Sequence, residues 1–247
     1  MAPIEVIFGQ HAVRDVLEHS PETVLGLLAA QGADNRRIEA LIDTAQQFGI
    51  HVEHAARHKL DRLAGGGRHQ GIVARVRSRP ARGEGELTAL IAGLGEPPLL
   101  LVLDGVTDPR NLGACLRTAD AGGVHAVIAP RDRAAGLTPA ARKAASGAAE
   151  SVPFFQVTNL ARALRGLKDA GLRIVGAAGD VPASPYAVDL TGPLCLVLGA
   201  EEKGMRRLTR DLCDELVALP MHGSVESLNV AVAAGVLIYE VRRQRDA

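Results

Sequence analysis

Aromatic residues are nearly missing from this 247-residue chain, which has no Trp, two Tyr and four Phe. Its core must be assembled from Ala, Val, Leu and Ile, and a platform of rings for stacking unpaired bases is excluded as a main mode of nucleic-acid contact. Cysteine is scarce too. Cys115, Cys195 and Cys213 are odd in number, far apart and set among apolar neighbours, with no Cys-x-x-Cys pair. Neither a disulfide framework nor a thiolate zinc site fits that usage; reduced, buried thiols are expected. Net charge is missing as well, since 28 Lys and Arg balance 28 Asp and Glu. Long apolar runs are the last absence. Val230 to Tyr239 is too short to cross a bilayer, and MAPIEVIFGQ has neither the basic start nor the apolar stretch of a secretory leader. These absences lead us to expect a cytoplasmic protein with no membrane partner.

What is present describes a globular protein: 47% hydrophobic and 23% charged residues, in a chain long enough for one or two domains. On a neutral chain, affinity for a polyanion must come from local patches. Residues 68–83 hold Arg68, Arg75, Arg77, Arg79 and Arg82 without an acidic residue. Smaller clusters lie at Arg131/Arg133, Arg142/Lys143, Arg206/Arg207/Arg210 and Arg242/Arg243/Arg245. Any one is ordinarily a solvated face, but together they suggest a phosphate-contacting surface. His51, His54 and His58 have ligand-like spacing, yet no carboxylate or thiol completes a metal set, and no metal is expected.

Composition shifts at residues 79–96, where Gly, Pro and charge mark a linker around a short helix. Residues 1–78 alternate helical patterns (12–18 and 34–48) with short strands (24–28, 50–53 and 71–76), giving a small α/β domain. In residues 97–247, strands are predicted at 99–103, 124–129, 152–157, 172–177, 194–198 and 216–220. Helices are predicted at 110–121, 138–149, 159–170, 206–214 and 227–243. That alternation argues for a mainly parallel sheet covered on both faces. The last helix carries an apolar stripe, Val230, Ala234, Leu237 and Val241, and a small-residue face suited to close packing.

Chemistry is sought where strands end. The run Leu99 to Leu103 leads into a polar turn with Asp104, Asp108 and Asn111, then a helix carrying Gly113 and Arg117. Backbone-rich turns follow later strands at Val175–Gly179, Val197–Glu201 and Val217–Met221, and Gly223–Asn229 leads into the last helix. Small residues there let a flat ligand approach main-chain N–H and C=O groups. Gly199 to Gly204 has the outer spacing of a P-loop, but Met205 and Arg206 stand where Lys and Ser/Thr are needed. No Gly-x-Gly-x-x-Gly follows a first strand, and Ser227 has no nucleophile elbow. Glu201, Asn111 and Asn229 remain as polar groups at successive strand ends.

Three segments, NLGACLRTADAGG (111–123), LVLGAEEKGMRRL (196–208) and LPMHGSVESLNVAVAAGVLIYE (219–240), resemble the signature motifs of the SpoU (TrmH) family of RNA ribose 2′-O-methyltransferases. FGQHAVRDVLE, HQGIVARV, LDGVTDPRNLGA and AASGAAESVP extend the resemblance over nearly the whole chain, toward bacterial members that methylate a guanosine in the peptidyl-transferase loop of 23S rRNA. The resemblance implies an N-terminal RNA-binding domain similar to L30e/L7Ae ribosomal proteins and a catalytic domain with a deep trefoil knot, which general topological rules would argue against. It implies S-adenosyl-L-methionine held by Gly199, Leu219, Met221 and Leu228, with Arg117 and Asn111 serving the ribose and Glu201, Ser227 and Asn229 organising the site. It also implies 23S rRNA or a pre-ribosomal large subunit as partner, and a homodimer. The alternatives are 2′-O-methylation of tRNA and a non-catalytic RNA-binding assembly factor. Glu202-Lys203 departs from the motif, where Gly-Glu is expected.

Overall fold

A computed structural model describes residues 4–32, 35–77, 84–201 and 203–247. Arg79, Arg82 and Glu202 lie outside the described residues, as does the start of the expected linker. The chain divides into two compact units, Met1–Pro80 and Ala81–Ala247.

The first unit runs β1 (Ile4–Phe8), α1 (Gln10–His19), β2 (Val24–Ala30), α2 (Arg36–Gln47), β3 (Val52–Ala55), α3 (Arg57–Leu63) and β4 (Ile72–Arg77). Its sheet has the order β1-β4-β2-β3, with β4 antiparallel to both neighbours and β2 parallel to β3. Sequence reading did not anticipate β1 or α3. In β1 apolar residues fall on both faces, Ile7 in one core and Val6 and Phe8 against another, which blurs the alternation, and α3 buries only Leu60. Ala74 and Val76 point into one core layer and Val73 into another, with Leu60 of α3, so only Arg75 and Arg77 are exposed on β4. His69 is buried: Gly71 N–H donates to its Nδ1 at 3.1 Å, leaving Nε2 to donate to Asp61 at 2.9 Å.

The second unit begins with α4 (Glu84–Ala92), the short helix expected within the linker. It continues with β5 (Leu99–Asp104), α5 (Pro109–Ala121), β6 (Ala126–Pro130), α6 (Pro139–Ala145), α7 (Ala148–Ser151), β7 (Phe154–Val157) and α8 (Leu160–Asp169). Then come β8 (Arg173–Ala177), β9 (Leu194–Gly199), α9 (Arg207–Asp211), β10 (Glu215–Val217) and α10 (Val230–Arg245). Six strands form a wholly parallel sheet in the order β10-β8-β9-β5-β6-β7. Every residue of β5 is buried because both faces are covered. Leu101 and Leu103 pack with Leu116 and Leu237 on one face, while Leu100 and Val102 pack with Leu164 and Phe155 on the other. The predicted stripe Val230, Ala234, Leu237 and Val241 is buried throughout.

Several boundaries differ for local reasons. The helix expected at 138–149 is two helices, because Ser146 and Gly147 take left-handed φ values of 50° and 101°. The final helix starts at Val230, since Asn229 caps it by accepting from Ala231 N–H at 3.0 Å. Gly113 is where α5 meets α6: a Cβ there would lie 2.3 Å from Ala141 O. Gly122 similarly leaves room for Ile238 of α10.

The carboxy-terminal arginines have structural partners rather than a free polycationic face. Arg242 donates to Gly122 O (2.6 Å) and Gly123 O (2.5 Å) at the end of α5, and Arg245 donates to Pro97, Pro98 and Gly192 carbonyls. Arg243 pairs with Glu240, and Arg142 pairs with Glu150. No helix among the described residues is long and apolar enough to cross a membrane.

Candidate active site

The winding of the sheet reverses between β5 and β9, which lie side by side with Asp104 and Gly199 in register at their carboxyl ends. Loops diverge there to opposite sides, which opens a crevice in an otherwise closed sheet. Asp104 is buried, its Oδ2 accepting from Arg206 N–H at 2.8 Å. Its Oδ1 lies 3.4 Å from Arg206 Nε without completing a hydrogen bond.

After β9 the chain curls back on itself. Ala200 and Gly204 exchange backbone hydrogen bonds of 3.1 and 2.8 Å, and Gly204 takes φ 63°. A Cβ on Gly199 would lie 2.0 Å from Gly204 C and 2.1 Å from Met205 N, so only glycine admits this curl. The curl holds Glu201 over the start of α10. Its Oε1 accepts from Asn111 Nδ2 (3.0 Å), Asn229 Nδ2 (2.5 Å) and Val230 N–H (3.2 Å). Asn229 Nδ2 also donates to Asn111 Oδ1 at 3.0 Å. One carboxylate thus ties together the starts of α5 and α10 and the loop after β9, at the positive end of the α10 dipole.

Two cavities flank this knot of hydrogen bonds. The first, about 380 Å³, is lined by Gly199, Leu219, Met221 and Leu228 together with Glu201 and Ser227. The predicted turn 177–179 forms another wall, and Arg210 and Asp180, paired at 2.8 Å, form part of its edge. The second, about 560 Å³, is lined by Asp104, Asp108, Asn111, Arg133 and Arg206, and shares Ala200, Glu201, Lys203, Gly204 and Val230 with the first. Asp104, Arg206 and Arg133 were not singled out as site residues in the sequence. The strand-end position of Asp104 was the available signal.

Arg117 stands apart. It lines neither cavity and is exposed, with Nη1 3.5 Å from Ser146 Oγ. Six residues along a helix turn a side chain about 240° from Asn111, so one helix does not aim both at one point. Burial, helped by the charge of Glu201, pushes the Cys115 thiol up to about 12, and burial pushes Cys213 up to about 11. No cluster of three or more metal-ligating side chains occurs among the described residues. In the first unit, Arg57 and Arg68 line a separate polar cavity of about 490 Å³ with Asn35, Asp61 and Gln70.

Residues 98–239 match the SpoU rRNA methylase family, and residues 6–81 match the RNA 2′-O ribose methyltransferase substrate-binding family. The 23S rRNA (guanosine-2′-O-)-methyltransferase RlmB of Yersinia pestis is 55% identical over 241 residues, covering 98% of each chain. The crystal structure of the SpoU methyltransferase AviRb from Streptomyces viridochromogenes superposes with a TM-score of 0.83 at 27% identity, covering 98% of this chain and 90% of that one. The same protein in complex with the cofactor AdoMet gives 0.81 at 26% identity, covering 98% and 91%.

Proposed function

The chain belongs to the SpoU rRNA methylase family, and from that membership we propose that it transfers a methyl group from S-adenosyl-L-methionine to the ribose 2′-hydroxyl of a guanosine in 23S rRNA. One observation carries this reading most directly. All four residues expected to hold the donor, together with Glu201 and Ser227, line a single cavity at the switch point of the sheet.

The cavity suits that donor. Leu219, Met221 and Leu228 offer apolar area to a purine, and the walls at 177–179 and 199–200 are Gly and Ala, which leave main-chain groups within reach. Glu201 and Glu226 would supply negative charge to a cavity holding a cationic sulfonium. When bound, S-adenosyl-L-methionine supplies an electrophilic methyl group that needs no metal.

The protein's tasks are to align the ribose and to tolerate loss of its proton. Asn111 is the group that positions the ribose, and Glu201 and Asn229 hold Asn111 in one orientation. Alignment of this kind can be worth roughly 7–11 kcal/mol at best. Arg117 stabilises the developing alkoxide and grips an adjacent phosphate. A guanidinium does not give up its proton in proteins, so the 2′-proton leaves to phosphate or water. The homodimer that the family resemblance implies would let Arg117, which lines neither cavity of its own chain, serve the site of the other subunit.

In this reading the second unit contains the trefoil knot that the family resemblance implies. The first unit, with Arg68 and Arg57 in its polar cavity and Arg75 and Arg77 on its sheet, holds the RNA in the cytoplasm. Mapping ribose methylation in rRNA from cells lacking this protein tests the assignment. Loss of the 2′-O-methyl group at one 23S guanosine is expected. Intact rRNA with altered tRNA would favour the tRNA reading, and failure of the purified protein to retain the donor in calorimetry would favour a non-catalytic one.

A further inference from the structure

The second cavity has no assigned ligand, yet it shares a wall with the first at Ala200, Glu201, Lys203, Gly204 and Val230. A molecule lodged there lies beside the donor. Its own lining mixes charge of both signs, Arg133 and Arg206 with the exposed Asp108, beside the Asn111 amide, while the Asp104 carboxylate is buried and paired with Arg206. A phosphate would call for cations alone. A guanine presents acceptors at O6 and N7 and donors at N1 and N2, and asks for both.

The two arginines are not equivalent. Arg206 is committed to the buried Asp104, through its backbone N–H at 2.8 Å and its Nε at 3.4 Å. Arg133 sits on the lip in the left-handed conformation, φ 57°, one of three non-glycine residues among those described to do so. The chain on either side is tied down. Asp132 O accepts from Arg206 Nη2 at 3.5 Å, and Ala135 N–H donates to Val106 O at 2.8 Å. A conformation that an arginine adopts only under constraint is thereby held at the edge of the cavity.

We propose that the second cavity is the subsite for the target guanosine and that Arg133 is its base-reading residue, the guanidinium fork meeting guanine O6 and N7 while the exposed Asp108 carboxylate accepts from N1–H and N2–H. The inference rests on the methyl-transfer reading above and adds the recognition of the base to it.

The test is single-turnover methylation of a 23S rRNA fragment carrying guanosine or 7-deazaguanosine at the target position. It uses the full-length protein and its Arg133→Gly and Arg133→Lys variants. Glycine relieves the left-handed backbone, so that variant folds, and calorimetry with S-adenosyl-L-methionine confirms that the first cavity is intact. Both variants are expected to lose about 10- to 100-fold in kcat/KM on guanosine, the range of one bidentate base contact. The unaltered protein should penalise 7-deazaguanosine, and the glycine variant should not. Undiminished activity in the glycine variant would overturn the proposal, as would its discriminating against 7-deazaguanosine as strongly as the unaltered protein does. If the unaltered protein binds the donor but methylates no 23S fragment, the functional reading fails first and this one falls with it.

Discussion

Glu201 concentrates the design of the site in one side chain. Three donors from two helices converge on a single carboxylate oxygen, and both neighbouring amides are oriented by it. Glu201→Ala should leave melting nearly unchanged, because the group is exposed and water can replace it. Turnover should fall about 100-fold, the scale of misplacing a reacting group by an ångström; Glu201→Gln, which keeps one acceptor, should recover part of it. Gly199→Ala makes a different prediction. Its Cβ would displace the Gly204–Met205 backbone, so donor affinity measured by calorimetry should drop at least about tenfold, or about 1.4 kcal/mol. Arg117→Ala should lower single-turnover rates with donor affinity retained, and Arg117→Lys should restore little, since the lysine lacks the planar fork. Full activity in the alanine variant would remove Arg117 from the chemistry.

Among the elements, α5 does the most positioning. It starts with Asp108 capping Arg110 N–H at 2.8 Å and Pro109 in the first turn, which fixes Asn111 at the crevice. Its Gly113 accepts α6 and its carboxyl end is held by Arg242 of α10. Gly113→Ala overpacks that contact and should cost about 1–3 kcal/mol, a fall of several degrees in Tm. Gly166→Ala, on the exposed side of α8 where a Cβ meets nothing within 4 Å, should instead raise Tm slightly. In α10, hydrogen bonds from Arg243, then from Gln244, hold the Glu240 carboxyl down at about 2. Its unfolded value is about 4.3. A folded value below the unfolded one adds stability that is complete above about pH 5 and is lost as pH falls toward 2. The Tm difference between the native chain and Glu240→Gln should therefore narrow over that window in a pH series.

The helix and strand pattern of the second unit was largely legible, because covered parallel strands write themselves as apolar runs such as Leu99–Leu103 and amphipathic helices as stripes such as Val230–Val241. The break at Ser146–Gly147 was not, since a left-handed residue leaves no hydrophobic period. Nor were β1, whose apolar residues fall on both faces, and α3, which buries only Leu60. The arginine clusters read as phosphate contacts proved divided. Arg242 and Arg245 cap backbone carbonyls, a role no one-dimensional charge count reveals.

At the scale of the whole molecule, the proposed homodimer has a direct test. Arg117→Ala and Gly199→Ala proteins, each impaired alone, should regain activity on mixing and subunit exchange if the arginine serves the partner's cavity. Mixtures as inactive as their components would place Arg117 in its own subunit's chemistry or outside it. Sequence by itself determined the two-unit α/β plan, the six strands, and the identity of the groups at the strand ends, because periodicity, turn chemistry and the three motifs are local properties. Only the tertiary structure decided strand order, and with it that residues 90 and 118 positions apart meet at one carboxylate. It also decided which arginines remain available to a ligand. Those outcomes depend on which chain segments lie side by side, and no local pattern encodes that.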